Sequence, residues 1–264
     1  MNQVEKRMLE VLKDLKQNYG VLAIKAEFEA EGSRKDELVK LNEIVFRADM
    51  DLIIKIGGCE AVRDLDQCKL LGASGIMAPM IETPFAMKKF VCAAQKVYGV
   101  DCKHVEWIVN TETKTCRENL DAILEESEGF LNTIAIGRVD LSASMGLTRA
   151  DINSEVMLEA AKDFAKRAKK KGLRVGFGGG ISFDAIPFIQ QMSGLADKFE
   201  TRKVVFAYTD DKEQLQQGIL KAMEFEYLYL QNKCDLYDRM ASEDKGRLEM
   251  LKDRIAVAEE TIKK

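Results

Sequence analysis

The sequence predicts an α/β fold, a (β/α)8 TIM barrel with an extended C-terminal helical segment. Short runs rich in Val and Ile, bounded by glycine or charged residues, alternate with amphipathic stretches long enough for a helix. No Pro- or Gly-rich linker divides the chain, and only three prolines occur in 264 residues. Repeated alternation of strand and helix implies parallel strands joined by right-handed crossovers.

Seven strands are predicted in order, at 21–30, 51–58, 75–82, 105–112, 131–138, 173–180 and 203–210. The amphipathic stretches between them supply the helices, as at 35–49 and 84–99. The eighth strand is hard to find. It is either short or replaced by the opening helix, which is predicted at about 2–18. A closed barrel accounts for this number of units better than an open sheet.

The C-terminal part of the chain has a different pattern. The strand signal stops at about residue 211, which divides the chain into a barrel domain (1–210) and C-terminal helices (211–264). A narrow apolar seam runs along the last helix at spacings of three and four, through Leu248, Leu251, Ile255, Ala258 and Ile262. This helix either lies back on the barrel or pairs with another subunit, and we expect a homo-oligomer formed through it.

Composition excludes several functional classes. The formal net charge is −4 and basic residues are dispersed, which disfavours nucleic acid as a partner. No apolar run approaches the roughly 18 residues that a membrane span needs. The amphipathic N-terminus is not a secretory signal, and six cysteines without a CxxC pair indicate reduced thiols. We therefore expect a cytoplasmic protein with no membrane partner.

The single histidine, His104, restricts the chemistry further. It rules out a His-rich zinc site, and a Ser-His-Asp mechanism would require His104 itself as the base. His104 precedes the predicted strand at 105–112, and the leading end of a barrel strand is usually remote from the active site. We therefore expect a structural or surface role for it.

The predicted strands end in polar residues. Active sites of α/β barrels lie at the C-terminal ends of the strands. The residues at these ends are Glu27 and Glu29, Lys55 with Gly57 and Gly58, Glu82, Asn110 and Glu112, Asp140, and the glycines of 178–180. The predicted site is therefore a ring of charged side chains around the barrel mouth.

Two of these carboxylates follow neighbouring strands and can converge on one cation. Glu112 and Asp140 are suited to Mg²⁺ or Mn²⁺, which take one or two carboxylates together with water and substrate oxygens. Gly137 would let a ligand approach the backbone, whose N–H groups could face an anion. Alternatively, Asp140 caps the helical turn that follows. The glycines of 176–180 form either a tight turn or a cradle for phosphate or carboxylate.

These segments resemble the HpcH/HpaI aldolase/citrate lyase family. The resemblance is carried by "IVNTET" followed by "IAIGRVDLSASMG", with "GIMAPMIETPFAMKKF" before them and "IKAEFEAEG" near the start, and it spans roughly 20–210. It implies a barrel that is often oligomeric through exchanged C-terminal helices, with a divalent metal (Mg²⁺ or Mn²⁺) held by Glu112 and Asp140. It also implies that a small anionic 2-oxoacid such as pyruvate binds at the backbone around Gly137, Arg138 and Val139, beside Asn110.

The sequence departs from the family pattern where acid–base chemistry is expected. The family's catalytic histidine falls on Phe28 and its partner aspartate on Lys25. The substrate-gripping arginine falls on Lys55, which offers a point charge without the bidentate fork. Glu27 matches the family's acidic residue, and either Glu29, Glu82 or a water on the metal remains as the base. A Schiff-base lysine is not expected, because Glu27 nearby would raise its pKa.

The leading functional hypothesis is a metal-dependent carbon–carbon lyase or aldolase that acts through a pyruvate-type enolate. Lys55, Glu27 and Glu29 are the candidate catalytic residues, and Lys55 and Arg138 would steer the anionic substrate. One alternative is condensation of the enolate with a sugar or thioester acceptor on the same barrel. A second alternative, prompted by Phe28, is a barrel that binds a metabolite without catalysis.

Overall fold

Eight strands close into a barrel in sequence order. The computed structural model describes residues 1–262, with side chains described up to residue 256. The strands are β1 (Val21–Glu27), β2 (Asp51–Lys55), β3 (Gly75–Ala78), β4 (Glu106–Thr111), β5 (Thr133–Gly137), β6 (Arg174–Gly178), β7 (Lys198–Glu200) and β8 (Val204–Ala207). The predicted barrel class is therefore confirmed, and the missing strand is β7, which is only three residues long.

The prediction that all strands run parallel is wrong for the last one. Strands β1 to β7 pair in parallel, but β8 runs antiparallel to both β7 and β1. A tight turn at Thr201 joins β7 to β8, with the Thr201 N–H donating to Val204 O at 2.9 Å. So short a connection has no room for a crossover helix. The chain therefore turns back directly, and β8 lies in the barrel wall antiparallel to its two neighbours.

Helices surround the barrel on the outside. They are α1 (Gln3–Tyr19), α2 (Lys35–Arg47), α3 (Val62–Leu71), α4 (Pro84–Tyr98), α5 (Lys114–Glu126), α6 (Arg138–Ser144), α7 (Glu155–Lys170), α8 (Ile186–Gln190) and α9 (Lys212–Ile262). Hydroxyl side chains of Thr83, Thr113 and Ser154 cap α4, α5 and α7 by accepting from backbone N–H groups. The predicted opening helix is α1, and it adds to the eight strands instead of replacing one.

Helix α9 is 51 residues long and packs along α1 in its first half. Arg7 pairs with Glu224 at 2.6 Å, and Asn2 donates to Asn232 at 2.7 Å. Residues 238–256 are all exposed, including Leu248, Leu251 and Ile255 of the apolar seam. The Ala258 and Ile262 side chains of that seam, and residues 263–264, lie outside the described part.

Apolar residues form two layers that position the barrel mouth. The larger layer fills the space between strands and helices and includes nearly every buried aliphatic side chain. The smaller layer lies inside the barrel, one residue from each of six strands: Ala23, Ile53, Met77, Ile108, Ala135 and Val205. It forms the apolar bottom of the barrel mouth, and polar side chains lie between it and the C-terminal strand ends. Over residues 1–262, no helix has the length and apolar character that crossing a membrane requires.

Candidate active site

A cavity of about 560 Å³ opens at the C-terminal ends of the strands. Eight of the nine residues proposed from sequence line it: Glu27, Glu29, Lys55, Asn110, Glu112, Gly137, Val139 and Asp140. The ninth, Arg138, does not. The structure therefore brings together side chains from β1, β2, β4 and β5 that are up to 113 positions apart in sequence.

Glu112 is the most deeply buried of these carboxylates. It follows β4 directly and is 1% exposed. Its Oε2 accepts from Asn110 Nδ2 at 2.7 Å, and its Oε1 accepts from the Met80 N–H at 3.1 Å. Met80 holds a positive φ of 51°, an uncommon conformation for a residue with a side chain, at the point where its N–H donates to the carboxylate. Two donors from two strand ends thus fix the orientation of Glu112.

The environment of Glu112 changes its proton affinity. Burial raises the pKa of the carboxyl above its ordinary value, and nearby Asp140 adds to the rise. Lys55 and the two hydrogen-bond donors act in the opposite direction but do not outweigh burial. A buried carboxylate next to a second carboxylate is an electrostatic setting in which a bound cation would strongly stabilise the ionised form of both.

Gly137 makes room for Glu112. A Cβ at residue 137 would lie 2.8 Å from Glu112 Cβ and closer still to its Oε2. The space that we expected a ligand to use is therefore filled by the Glu112 side chain, and the sequence interpretation of Gly137 is corrected accordingly. The glycine is needed because the carboxylate of β4 lies across the end of β5.

Asp140 stands in the first turn of α6 and is exposed to the cavity. The N-cap of α6 is Gly137, and no side chain caps it. The alternative role of Asp140 as a helix cap is therefore not what the structure shows. Within residues 1–262, no three or more His, Cys, Asp or Glu side chains form a ready metal site. Glu112 and Asp140 offer two carboxylates, the number that Mg²⁺ commonly takes from protein.

Lys55 lies between two carboxylates. Its Nζ is 2.7 Å from Glu29 Oε2 and 3.8 Å from Glu112 Oε1. Burial alone would lower the pKa of Lys55, but Glu112, Glu29 and Glu27 outweigh it and raise the pKa. The ammonium therefore stays charged, which agrees with the expectation that this lysine forms no Schiff base.

Arg138 is not a substrate-facing cation. It is fully buried, and its guanidinium donates to Gly178 O at 3.1 Å and to Asn153 Oδ1 at 2.8 Å, while lying 4.4 Å from the Phe188 ring centroid. It also donates to Gly179 O at 2.6 Å. Burial lowers the pKa of Arg138 to about 9. The predicted steering role is therefore replaced by a structural one: the guanidinium anchors the glycine loop after β6.

That loop is a tight turn whose carbonyl oxygens are occupied. Gly179 has φ +83°, and a Cβ there would lie 2.9 Å from the Val139 backbone nitrogen. The loop packs this closely on the start of α6, as a tight turn would, and because Gly178, Gly179 and Gly180 also line the cavity, the cradle for phosphate or carboxylate stays a prediction. Phe28, which the sequence resemblance aligns with a histidine, packs against the apolar core and does not line the cavity.

Sequence reasoning missed several charged cavity residues, among them Arg149, Glu200 and Arg202, and it considered Lys25 chiefly as the counterpart of a family aspartate. Lys25 and Glu200 form an ion pair with side chains 11% and 12% exposed. Arg202, in the turn between β7 and β8, lies 3.5 Å from Glu27. Arg149 lines the cavity and forms no ion pair with any residue in the described part. A three-residue strand gives almost no periodic signal, so β7 and the residues it positions could not be found from pattern alone.

A closed α/β barrel with a charged cavity at the strand ends places the chain among α/β-barrel enzymes. The sequence model of one family, described as HpcH/HpaI aldolase/citrate lyase, matches residues 33–177. This is more than half of the chain, which therefore belongs to the HpcH/HpaI aldolase/citrate lyase family and shares its aldolase/lyase-type character. The matched range is narrower than the 20–210 expected from sequence. No curated protein sequence matches significantly.

Solved structures show the same fold. An HpcH/HpaI aldolase from Desulfitobacterium hafniense DCB-2 has a TM-score of 0.61 and 13% identity, over 76% of this chain and 83% of that one. A family protein from Burkholderia cenocepacia J2315 has a TM-score of 0.56 and 15% identity, over 73% and 92%. The citrate synthase SbnG has a TM-score of 0.58 and 15% identity, over 86% and 90%. At these identities the likeness concerns the fold alone.

Proposed function

We propose that the protein is a metal-dependent carbon–carbon lyase or aldolase that acts through the enolate of a small 2-oxoacid. The observation that carries this proposal is the pair formed by Glu112 and Asp140, which line one cavity at the strand ends, where the charge of Asp140 helps to raise the pKa of Glu112. Family membership supports the aldolase/lyase class. The metal, the enolate and the substrate class go beyond family membership and are proposed here.

The charge of the cavity supports a divalent cation. Six carboxylates line it against four cationic side chains, so a surplus of two negative charges remains when all are ionised. One Mg²⁺ or Mn²⁺ balances that surplus. Glu112 and Asp140 would hold the ion, and the ion would supply Lewis-acid stabilisation of negative charge on the substrate's keto oxygen.

The chain's own residues bind and orient the substrate. Lys55, kept protonated by its carboxylate neighbours, offers a buried cation beside Glu112. Arg149 offers a second cation from the cavity rim that is not neutralised by a described carboxylate. Since Arg138 is withdrawn into the core, we assign the steering of an anionic 2-oxoacid to Lys55 and Arg149. Backbone around Val139 and the side chain of Asn110 complete the binding surface.

The proposal is tested by Mn²⁺ binding and by exchange of the methyl protons of pyruvate with D₂O. We expect wild-type protein to bind Mn²⁺ in calorimetry and to catalyse exchange, and Glu112→Ala to lose both. Glu82→Ala is the matched control, because Glu82 follows the neighbouring strand but does not line the cavity. If Glu112→Ala binds Mn²⁺ as wild type does, the metal assignment is wrong.

The same measurements separate the two alternatives. Exchange without cleavage of hydroxy-oxoacids supports condensation with a sugar or thioester acceptor, a possibility that the citrate synthase among the structural neighbours also suggests. Mn²⁺ and pyruvate binding without any exchange supports a metabolite-binding barrel. Wild-type protein that binds neither contradicts all three.

A further inference from the structure

Two glycines that are paired across β5 and β6 each lie beneath a carboxylate from an outer neighbour strand. Gly137 and Gly178 are register partners, and Glu112 lies over the first. Glu200 lies over the second, because a Cβ on Gly178 would be 2.7 Å from Glu200 Cγ and 3.1 Å from its Oε1. Because paired strands are about 4.8 Å apart, we place the two carboxyl groups on the order of 10 Å from each other, in the same cavity.

The Glu200 carboxylate is held by one partner only. Lys25 Nζ donates to Glu200 Oε1, and Oε2 accepts no hydrogen bond from any residue in the described range. Lys25 belongs to β1 and, like Glu200, lines the cavity. Burying the charges of a lysine and a glutamate away from water costs solvation free energy. Replacing such an ion pair with apolar residues is often neutral or stabilising. A buried ion pair that lines a reactive cavity is therefore better explained by chemistry than by stability.

The other candidate bases are less suited to the task. Glu29 is 26% exposed and its Oε2 lies 2.7 Å from Lys55 Nζ. Glu27 faces Arg202 at 3.5 Å. Glu82 does not line the cavity. Glu200, in contrast, lines the same cavity as Glu112 and lies over Gly178, the register partner of the glycine beneath Glu112.

We propose that Glu200 is the general base of this barrel and that Lys25 is its positioning residue. This inference rests on the proposed function. Glu200 Oε2 takes a proton from C3 of the 2-oxoacid, the C–H electron pair forms the C2–C3 double bond, and the keto oxygen takes the negative charge. The proton on Glu200 returns to C3 in the reverse step, or after exchange with solvent. The Lys25 ammonium keeps Oε1 occupied and so directs Oε2 toward the substrate.

The test measures exchange of pyruvate methyl protons in D₂O with Mg²⁺ present, together with pyruvate binding by calorimetry. We expect Glu200→Gln to slow exchange by about 100-fold or more while pyruvate still binds, because a positioned base contributes about 10²- to 10⁴-fold. The matched control is Glu106→Gln. Glu106 is also a largely buried glutamate paired with a lysine, Lys198, but at the opposite end of the barrel. We expect it to keep exchange near the wild-type rate.

A second pair of variants tests the positioning role of Lys25. Lys25→Met should slow exchange, and Lys25→Arg, which retains a cation, should restore most of the rate. If wild type exchanges but Glu200→Gln exchanges equally fast, or if Glu29→Gln alone abolishes exchange, Glu200 is not the base. If wild type shows no exchange, the proposed function fails first, so the two failures are distinguishable.

Discussion

Glu112 lies against the Cα of Gly137, in the space that a side chain at residue 137 would fill. The carboxylate reaches this place from β4, and donors from Asn110 and Met80 keep it there. The acidic side chain that follows β4 thus packs on the backbone at the end of β5. The same arrangement recurs at Gly178 with Glu200, so the barrel mouth is built from paired glycines and the carboxylates above them.

Gly137→Ala should displace Glu112 and weaken metal binding. We expect a loss of about 1–3 kcal/mol in the free energy of unfolding, because the added methyl group overpacks a buried contact. Mn²⁺ affinity should fall at least tenfold in calorimetry. Gly58→Ala is the control, since a Cβ there meets no atom within 4 Å. Equal Mn²⁺ binding by both variants would show that Gly137 does not position the ligand.

Arg138→Met should destabilise the protein through the glycine loop. The variant leaves the carbonyl oxygens of Gly178 and Gly179 without their donor, and each unsatisfied buried group costs about 1–3 kcal/mol. Arg138→Lys should be nearly as damaging, because an ammonium cannot reproduce the planar fork. Urea unfolding measures both losses. A substrate-steering role would instead leave stability unchanged and raise only KM.

Glu37 should link α2 to α9 in a pH-dependent manner. Burial alone would raise the pKa of Glu37, but hydrogen bonds from Tyr237 and Lys233 outweigh it and lower the pKa below 4.5. A carboxyl with a lowered pKa stabilises the fold above its unfolded-state pKa and loses that contribution as pH falls through the folded-state value. Wild type should therefore exceed Glu37→Gln in stability by about 1–2 kcal/mol at pH 7.

The advantage of Glu37 should begin to shrink as pH falls below about 4.5 and should disappear below the folded-state pKa, where the Glu37 carboxyl is as neutral as the glutamine that replaces it. Urea unfolding over a pH series measures it. Glu43→Gln is the control on the same helix. Glu43 pairs with Lys40 and Arg47 at the surface, where ion pairs contribute little. A difference between wild type and Glu37→Gln that did not depend on pH would contradict the assigned contacts.

The distal half of α9 should mediate self-association. Residues 238–256 are exposed, and Leu248, Leu251 and Ile255 repeat along them at helical spacing. A chain ending at residue 240 should elute from a sizing column as an assembly of fewer subunits than the full chain while keeping its melting temperature. Replacing both Leu248 and Leu251 with Lys should have the same effect. An unchanged number of subunits in both variants would exclude this helix as the interface.

Much of the site could be predicted from sequence because the C-terminal ends of barrel strands meet at one mouth, independently of the conformation of the loops. Lys55, Asn110, Glu112 and Asp140 each end or follow a well-patterned strand, so the barrel rule brings them to one cavity. Arg138 could not be placed, since a side chain next to the mouth can point either to the cavity or to the core. Packing of its guanidinium on Phe188 and bonding to loop carbonyls decided that direction.

By itself the sequence determined the barrel class, the acidic strand ends and the long terminal helix, because hydrophobic period and strand-end chemistry are local properties. The tertiary structure decided the antiparallel turn of β8, the burial of Arg138 and the pairing of Lys25 with Glu200, residues separated by 175 positions. These features depend on contacts between distant segments. No local pattern encodes them: the last two strands decide the turn of β8 and the ion pair of Lys25, and the loop after β6 together with Phe188 decides the position of Arg138.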